Sequence, residues 1–305
     1  MTNDVLLEAR GLVRRYGHHV ALAGIDLVLR RGEVLGFLGL NGAGKSTTLQ
    51  ILAGALPPQA GRIAIDGHDL VRNPRAARAR LGYLPQVPPV IDDIRVDEYL
   101  DLCARLQGLA ASARPVALTR ACARCGLTDV RTRLVRHLSQ GYRQRLGLAQ
   151  AIVHDPAVLL LDEPTTGLDP VQIRDVRALV ADLGRDHAVI ISSHILSEVR
   201  ALASRIVILH AGRIVHDAPN DAAGGGVRLR TARPLAATML ATVAGVTAVE
   251  PLAEGRWLVS GAGDNDFVDA VATAVVTAGA GLIELVRDDD DLERLFMRLT
   301  AGEAA

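Results

Sequence analysis

The sequence contains almost no lysine, few aromatic residues and no excess of charge of either sign. Lys45 is the one lysine among 34 basic residues in a chain of 305, and the other basic residues are all arginine. Acidic residues also number 34, whereas proteins that bind nucleic acids carry a clear basic excess. The composition therefore argues against a main function in gripping DNA or RNA, and it predicts no direct nucleic-acid partner.

The sequence also lacks a long apolar run. The best candidate, residues 270–283, is bounded by Asp269 and Glu284 and is shorter than the roughly 20 apolar residues that a membrane-spanning helix needs. The first four residues, Met1 to Asp4, lack the basic region and the apolar core of a signal peptide. We therefore expect a cytoplasmic protein that reaches a membrane only through a partner.

Cysteine is sparse as well, with Cys103, Cys122 and Cys125 as its only occurrences. The last two form a CxxC pair, which can mark a metal or redox site. A zinc site needs about four ligands, and no second ligand pair lies nearby in the sequence. The pattern therefore favours reduced structural cysteines over a metal site.

Residues 1–219 alternate predicted strands with predicted helices, which is typical of a mostly parallel sheet covered on both faces. We expect strands at residues 5–11, 20–29, 34–38, 62–65, 81–84, 158–161, 188–192 and 206–209, and helices at residues 46–55, 141–153, 171–184 and 195–203. A helical segment rich in Ala, Arg and Leu follows residue 87. It predicts an inserted helical subdomain at about residues 87–140.

A second domain is predicted after residues 220–226, whose three consecutive glycines indicate a linker. In residues 227–305 we expect strands at 227–231, 246–251, 255–260 and 281–287, with helices at 234–244 and 265–279. The order β-α-β-β-α-β is that of a small α+β, ferredoxin-like domain. A last amphipathic helix is expected after Asp288, with Leu292, Leu295, Phe296 and Leu299 on one face.

A phosphate-binding loop is predicted at residues 39–47, which read GLNGAGKST and lie between a predicted strand and a predicted helix. Glycines let the backbone N–H groups of such a loop converge on phosphates at a helix N-terminus. We expect Lys45 to reach the β- and γ-phosphates of ATP and the Ser46 hydroxyl to bind Mg²⁺. The expected nucleotide-binding residues of the loop are Gly39, Asn41, Gly42, Ala43, Gly44, Lys45, Ser46 and Thr47.

The lone lysine is explained by this loop, because a phosphate loop needs a compact ammonium on a flexible stem and not a planar guanidinium. A second expected part of the site is the apolar strand at residues 158–161, which ends in Asp162 and Glu163. Ligands bind at the carboxyl ends of strands in open α/β sheets. We therefore expect Asp162 to bind Mg²⁺ and Glu163 to act as the base that orients and deprotonates the attacking water.

Residues 138–145, which read LSQGYRQR, open a helix shortly before that acidic strand end. Taken alone, Ser139 is an ordinary helix N-cap. In this position the segment resembles the signature sequence of ATP-binding cassette (ABC) ATPases, and the resemblance covers roughly residues 4–217. It implies an α/β P-loop NTPase cassette, with a mostly parallel sheet, an antiparallel β-subdomain and a helical subdomain, followed here by the small C-terminal domain.

The resemblance implies further site residues. Two ABC cassettes pack head to tail, so Ser139 and Gly141 would contact the γ-phosphate that the opposite protomer binds, and Asp169 matches the loop that crosses the dimer. Gln86 resembles the glutamine that links Mg²⁺ and water to the helical subdomain. The expected catalytic residues are then Glu163, His194 and Gln86, and the expected Mg²⁺ ligands are Ser46, Gln86 and Asp162.

His194 resembles the histidine that contacts the γ-phosphate, and Tyr16 resembles the aromatic residue that stacks on adenine. Each has an ordinary alternative, since a lone histidine at a strand end is often satisfied locally and a lone tyrosine is often a surface residue. The signature also departs from the family pattern, with Gln140 in place of a glycine and Tyr142 in place of a glutamine. Tyr142 and the small C-terminal domain resemble ATPases of ABC-2-type exporters.

The sequence thus predicts an ATPase that energises an exporter, works as a homodimer on the cytoplasmic face of the membrane and pairs with a transmembrane permease on another chain. The alternative is a soluble ABC ATPase that acts on ribosomes or DNA. Such proteins usually carry two cassettes or a long coiled-coil insertion, and neither is present here. A third hypothesis gives residues 227–305 a regulatory site for a small ligand, although extension of the dimer interface is favoured over it.

Overall fold

In the computed structural model the chain divides into two units, residues 1–217 and residues 218–305. The structure describes residues 4–220, 226–253, 255–261, 265–288 and 296. Within the predicted linker, residues 221–225 lie outside the described residues. So does the expected final helix with Leu292, Leu295 and Leu299, except for Phe296, which has helical backbone.

The first unit is built on a six-stranded sheet, with the strands in the order β10-β9-β3-β8-β7-β6. Its members are β3 (Val34–Leu38), β6 (Leu81–Leu84), β7 (Val158–Asp162), β8 (Ala188–Ser193), β9 (Arg205–His210) and β10 (Arg213–Pro219). Strand β3 pairs in parallel with β8 and β9, and β7 pairs in parallel with β6 and β8. The predicted parallel sheet is confirmed.

Strand β7 is a continuous run of apolar residues up to Asp162, because both faces of the central sheet are covered. Leu159 and Leu161 belong to an apolar core shared with the helical layer, and Val158 and Leu160 belong to a core on the opposite side. Successive side chains of a strand point to opposite faces. A sheet covered on both faces therefore needs apolar residues at every position, as in parallel sheets generally.

The second layer is an antiparallel sheet in the order β2-β1-β4-β5, made of β1 (Val5–Tyr16), β2 (His19–Arg30), β4 (Ala60–Ile65) and β5 (His68–Asp69). Strand β1 runs five residues further than the prediction, to Tyr16. Gly11 has φ +60°, and the pairing register with β2 shifts between Ala9 and Leu12. This bulge interrupts the alternating pattern, which is why the pattern ended at Gly11.

Seven helices complete the first unit: α1 (Lys45–Leu52), α2 (Pro74–Arg78), α3 (Val96–Leu106), α4 (Arg114–Arg124), α5 (Gln140–Ile152), α6 (Pro170–Asp186) and α7 (Leu196–Arg200). Two 3₁₀ turns, Thr128–Val130 and Val135–His137, lie between α4 and α5. The segment predicted as a helical subdomain contains α3, α4 and both turns. Helix α7 ends at Arg200, three residues before the predicted end. None of the described helices is both long and apolar enough to cross a membrane.

The second unit contains β11 (Gly226–Thr231), α8 (Ala237–Leu240), β12 (Val246–Ala253), β13 (Arg256–Gly261), α9 (Asn265–Thr277) and β14 (Leu282–Asp288). Its strands form an antiparallel sheet in the order β12-β13-β11-β14. This connectivity is the predicted ferredoxin-like arrangement. The prediction of a helix at 234–244 is wrong in extent, because α8 covers only Ala237–Leu240. Just after it, the Thr242 hydroxyl donates to the Met239 carbonyl at 2.7 Å, a local hydrogen bond of the kind that competes with helix formation.

The two cysteines of the CxxC pair lie in the core of the helical layer. Cys122 and Cys125 are 2% and 1% exposed, and all three cysteines are free. Burial raises the pKa of the Cys125 thiol to about 12 and also raises the pKa of Cys122. The described residues contain no group of three or more metal-ligating side chains. The pair is therefore a packing element of the helical core.

We predict that Cys122 and Cys125 resist alkylation by iodoacetamide in the native protein. At about pH 8, near the pKa of a free thiol, their raised pKa values leave little reactive thiolate, and burial blocks access. Mass spectrometry should find both unmodified under native conditions and all three cysteines modified in guanidinium chloride. Native modification of Cys125 as fast as that of a free thiol would contradict the buried placement.

Candidate functional site

The expected site residues converge at the carboxyl ends of three neighbouring strands, β3, β8 and β7. The glycine loop of residues 39–44 follows β3, Glu163 follows β7 and His194 follows β8. A cleft of about 330 Å³ lies there. It is lined by Tyr16, His19, Ala21, Leu40, Asn41, Gly42, Gly44, Lys45, Ser46, Thr47, Gln86 and Glu163. Three expected site residues outside the loop, Tyr16, Gln86 and Glu163, are thus brought to it.

The glycine loop requires glycine at positions where its backbone touches neighbouring strands. A Cβ atom on Gly39 would lie 2.5 Å from the Leu209 carbonyl oxygen, and one on Gly44 would lie 2.5 Å from that of Ala21. Gly44 also has φ +108°, a conformation that other residues rarely adopt. Helix α1 begins at the next residue, so the N–H groups of its first turn are available at the base of the cleft.

Lys45 is 5% exposed, and its ammonium is held by oxygen atoms on several sides. Nζ donates to the carbonyl of Gly39 at 2.7 Å and to that of Leu40 at 3.0 Å, and it lies 3.8 Å from Oε1 of Glu163. Burial lowers the pKa of Lys45, whereas the charges of Glu163 and Asp162 oppose that shift. The carbonyls and carboxylates thus offset part of the cost of burying the charge.

Ser192 joins the two acidic residues at the end of β7. Its hydroxyl donates to Oδ1 of Asp162 at 2.6 Å and accepts the backbone N–H of Glu163 at 2.9 Å. Ser192 is fully buried. Glu163 has φ +46°, in the left-handed region that is costly for a residue with a side chain. The Ser192 hydroxyl therefore fixes the backbone turn that separates the directions of the two carboxylates.

The Glu163 carboxylate is 9% exposed and has a partner on each oxygen. Oε1 lies 3.2 Å from Nδ1 of His194, and Oε2 accepts the hydroxyl of Thr166 at 3.0 Å. Together with Lys45, two basic groups and one hydroxyl surround this carboxylate. The arrangement holds an acceptor oxygen beside a phosphate-type loop, where it can orient and deprotonate a water molecule.

Glu198, on α7, ties the segment after β7 to the segment after β8. It is 7% exposed and accepts the hydroxyls of Thr165 at 2.8 Å and Ser193 at 3.0 Å. Arg177 lies 3.9 Å from its other oxygen. The two loops that carry Glu163 and His194 are therefore joined through one buried carboxylate.

Sequence reasoning missed Ser192, Thr166, Glu198 and the cleft residue His19. The sequence did contain one indication of Ser192: it and Ser193 are polar residues at the end of an otherwise apolar strand, which is buried throughout in the structure. Buried hydroxyls need partners, and acids stood at the end of the neighbouring strand. Nothing in the sequence pointed to His19 or to Glu198, which contact the site from other elements.

Seven expected residues are not among those that line the cleft, and three of these, Ser139, Gly141 and Asp169, lie at the N-termini of two helices. Ser139 caps α5 and Asp169 caps α6, where the Asp169 carboxylate accepts the N–H groups of Val171 and Gln172 at 2.9 Å each. Gly141 lies against Gln172, since a Cβ on Gly141 would be 2.7 Å from the Gln172 amide carbon. These residues therefore form a separate cluster at the N-termini of α5 and α6.

Tyr16, Asp162 and Ala43 occupy different surroundings. Tyr16 is 46% exposed, and the Arg14 guanidinium lies 5.0 Å from its ring centroid, a cation–π contact. Tyr16 also lines the cleft. Asp162 and Ala43 are buried behind the cleft, at 2% and 6% exposed. Asp162 thus reaches the site with a carboxylate already oriented by Ser192.

The expected Mg²⁺ ligands offer the donor atoms that this ion prefers. Ser46 and Gln86 line the cleft, and Asp162 has one oxygen bound by Ser192 and a second that is free of that contact. Mg²⁺ usually takes one or two carboxylates and completes its shell with water and substrate phosphates.

Known proteins match the chain over this site and beyond it. The family model for the ABC transporter matches residues 22–166. The chain is 36% identical to the daunorubicin resistance ATP-binding protein DrrA3 of Streptomyces coeruleorubidus, over 98% of this chain and 97% of that protein. It is 34% identical to the bacitracin transport ATP-binding protein BcrA of Bacillus licheniformis, over 72% and 71% of the two chains. A solved ATP-binding subunit of an ABC transporter superposes with a TM-score of 0.65 at 30% identity, over 72% of this chain and 91% of that one.

We predict that Ser192→Ala destabilises the protein by about 1–3 kcal/mol, because the Glu163 N–H and a buried Asp162 oxygen lose their partner. Urea unfolding of the two proteins measures the difference. Ser197→Ala is the matched control, since Ser197 is exposed on α7, and it should leave the free energy of unfolding unchanged. Equal stability of the wild type and Ser192→Ala would show that the hydroxyl does not hold this turn.

Proposed function

The chain belongs to the ABC transporter family, and from that premise we propose that it is the ATP-hydrolysing subunit of a membrane exporter. Two relatives are named for daunorubicin resistance and for bacitracin transport, and both are named as ATP-binding proteins. The first of them matches almost the whole chain, including the second unit. This match supports the ABC-2-type exporter hypothesis over a soluble ABC ATPase that acts on ribosomes or DNA.

In this proposal ATP lies in the cleft beside the glycine loop. The loop N–H groups and Lys45 bind the phosphates, and Tyr16 stacks on the adenine, which its partial exposure at the cleft supports. Asn41, Gly42 and Thr47 line the same cleft. Ser46, Asp162 and Gln86 hold Mg²⁺, which when bound neutralises charge on the phosphate oxygens.

One observation carries the hydrolytic role: Lys45, Glu163 and His194 meet at a single oxygen. Oε1 of Glu163 lies 3.8 Å from the lysine Nζ and 3.2 Å from the histidine Nδ1. Glu163 is proposed as the base for the attacking water, and His194, whose side chain is 41% exposed, as the group that contacts the γ-phosphate. Gln86, which also lines the cleft, completes the catalytic set.

A second copy of the chain is proposed to complete the site. Ser139, Gly141 and Asp169 form a separate cluster and do not line the cleft of their own chain. A head-to-tail homodimer would place that cluster against the ATP of the partner. Ser139 and Gly141 lie at the N-terminus of α5, and a helix N-terminus suits a phosphate because its first N–H groups have no partner within the helix.

The permease is proposed to dock beside Gln86 on the helical subdomain. Val87 and Ile91 follow Gln86 and are large apolar residues that are 79% and 43% exposed. Exposed apolar groups of this kind favour a protein contact. The subunit would then work at the cytoplasmic face of the membrane as a peripheral protein, with the transport pathway on the partner chains.

We predict that Glu163→Gln traps a dimer with bound ATP. The amide keeps the size of the side chain, and the base is lost while the phosphate-binding groups remain. Gel filtration with Mg·ATP should show a dimer for the variant and turnover should fall by about 10²–10⁴-fold. A variant that stays monomeric with Mg·ATP would count against both the role of Glu163 and the shared site.

We predict that Lys45→Arg also abolishes hydrolysis, although it keeps the charge. The ammonium is nearly buried between two loop carbonyls, and a planar guanidinium does not fit that position. The measurement is the ATPase rate, with binding of a fluorescent ATP analogue measured in parallel. Arg62→Lys, at an exposed position of β4, is the reverse control and should leave the rate unchanged. Hydrolysis at the wild-type rate by Lys45→Arg would show that position 45 does not require an ammonium group.

The export function is tested by purification of the Glu163→Gln variant with ATP from detergent-solubilised membranes. Co-purification of a polytopic membrane protein would support the exporter and identify its permease. Recovery of ribosomal proteins or DNA instead, together with ATPase stimulation by RNA or DNA, would reverse the proposal in favour of the soluble ATPase.

A further inference from the structure

A second cavity, of about 400 Å³, lies on the sheet of the second unit. Along β11, Val227 and Leu229 belong to the apolar core that the sheet forms with helices α8 and α9. Arg228 and Arg230 alternate with them and therefore point to the opposite face of the sheet. The cavity is on this second face. It is lined by Arg228, Leu229, Arg230, Leu252, Arg256, Glu284 and Val286.

Two arginines of this pocket oppose each other across neighbouring strands. Arg230 and Arg256 are direct register partners on β11 and β13, and like charges at opposed positions destabilise a sheet. Glu284, the register partner of Arg230 on the other side, is the carboxylate among the described residues that line the pocket. One lining carboxylate therefore faces two opposed arginines.

The contact between Arg230 and Glu284 leaves a donor unused. The guanidinium Nε of Arg230 is 3.8 Å from Oε2 of Glu284, which is too long for a hydrogen bond. That Nε atom is buried and has no hydrogen-bond acceptor among the described residues. The contact with Glu284 therefore neutralises the opposed pair only in part. An anion between Arg230 and Arg256 would offset the repulsion of their guanidinium groups.

We propose that this pocket binds the phosphate group of an organic phosphate. A carboxylate presents two oxygens in one plane and is satisfied by a single arginine fork, whereas a phosphate offers several oxygens to forks that arrive from different strands. Leu252 and Val286, which are 48% and 52% exposed, supply an apolar wall for the rest of the ligand. The volume falls in the range of small-molecule sites.

The pocket belongs to the second unit and differs in chemistry from the ATP cleft of the first. The cleft binds phosphate with loop N–H groups and a lysine, and the pocket has only arginine side chains as cations. The ferredoxin-like fold does not need these arginines, because its core lies on the other face of the sheet. The site gives this unit a ligand-binding role and goes beyond the proposed ATPase function.

Trp257 provides a local readout, because it is the one tryptophan in the chain and it follows Arg256 directly. Its fluorescence is titrated with inorganic phosphate and with glycerol 3-phosphate, at constant ionic strength, in the full-length protein. We expect a saturable change whose dissociation constant rises about tenfold or more in Arg256→Gln, as expected for loss of a charge-assisted hydrogen bond.

The matched control is Arg233→Gln, which removes the same charge from the same unit. Arg233 is exposed, donates to the Gly279 carbonyl at 3.1 Å and does not line the pocket. Its affinity for phosphate should equal that of the wild type. If Arg233→Gln and Arg256→Gln weaken phosphate binding equally, the effect is due to the net charge of the protein, and the proposal is overturned.

Equilibrium dialysis with radioactive phosphate measures the number of phosphates bound per chain without using fluorescence. In a Lys45→Ala background, which removes the lysine of the ATP cleft, we expect one bound phosphate per chain, and addition of Arg256→Gln should abolish it. If the Lys45→Ala protein binds no phosphate, the proposal that the pocket binds phosphate is overturned, whereas the ATPase proposal is unaffected.

A second arm distinguishes a lipid headgroup from a soluble phosphate. The protein is sedimented with vesicles of phosphatidylglycerol and with vesicles of phosphatidylcholine, each with and without free glycerol 3-phosphate. Selective binding to phosphatidylglycerol that glycerol 3-phosphate and Arg256→Gln both reduce assigns the site to lipid. Phosphate binding without vesicle binding assigns it to a soluble metabolite.

Discussion

Burial of one ammonium group at the carboxyl end of the central sheet is the constraint on which the first unit depends. A lysine that is 5% exposed is stable only where oxygen atoms surround it. Two of those oxygens are loop carbonyls, and the others belong to acids at the end of β7. The loop, the strand order and the acidic strand end are therefore parts of one electrostatic arrangement, and β3 and β7 must lie on either side of β8 to bring them together.

The same constraint explains the use of basic residues along the chain. Arginine forms ion pairs on the surface, as where Arg205 binds both Asp217 and Glu33, and its planar fork suits such bidentate contacts. The buried position between the Gly39 and Leu40 carbonyls suits a compact ammonium on a flexible stem. A planar guanidinium does not suit it, which accounts for the one lysine in an arginine-rich sequence.

The sequence was most informative where a single segment carries the whole signal. The glycine loop, the apolar strand that ends in Asp162 and Glu163, and the succession of strands and helices in the second unit can all be read along the chain, and the structure agrees with them. It was least informative where distant segments meet. Ser192 and Glu198 act through contacts about thirty residues away in sequence, and no pattern within one segment records such contacts. The roles of the individual site residues follow from chemistry and resemblance, and they stay predictions.

In the second unit, one face of the sheet packs on the helices, and the residues on the opposite face are not determined by that packing. Packing against α8 and α9 decides which residues occupy the inner face, since Val227, Leu229 and Val259 must be apolar to bury it. The opposite face is free of that requirement, so paired arginines there are not a consequence of the fold. Because opposed like charges cost stability, the pair Arg230 and Arg256 is the observation on which the proposed phosphate site rests. The fold alone gives no reason for these charges.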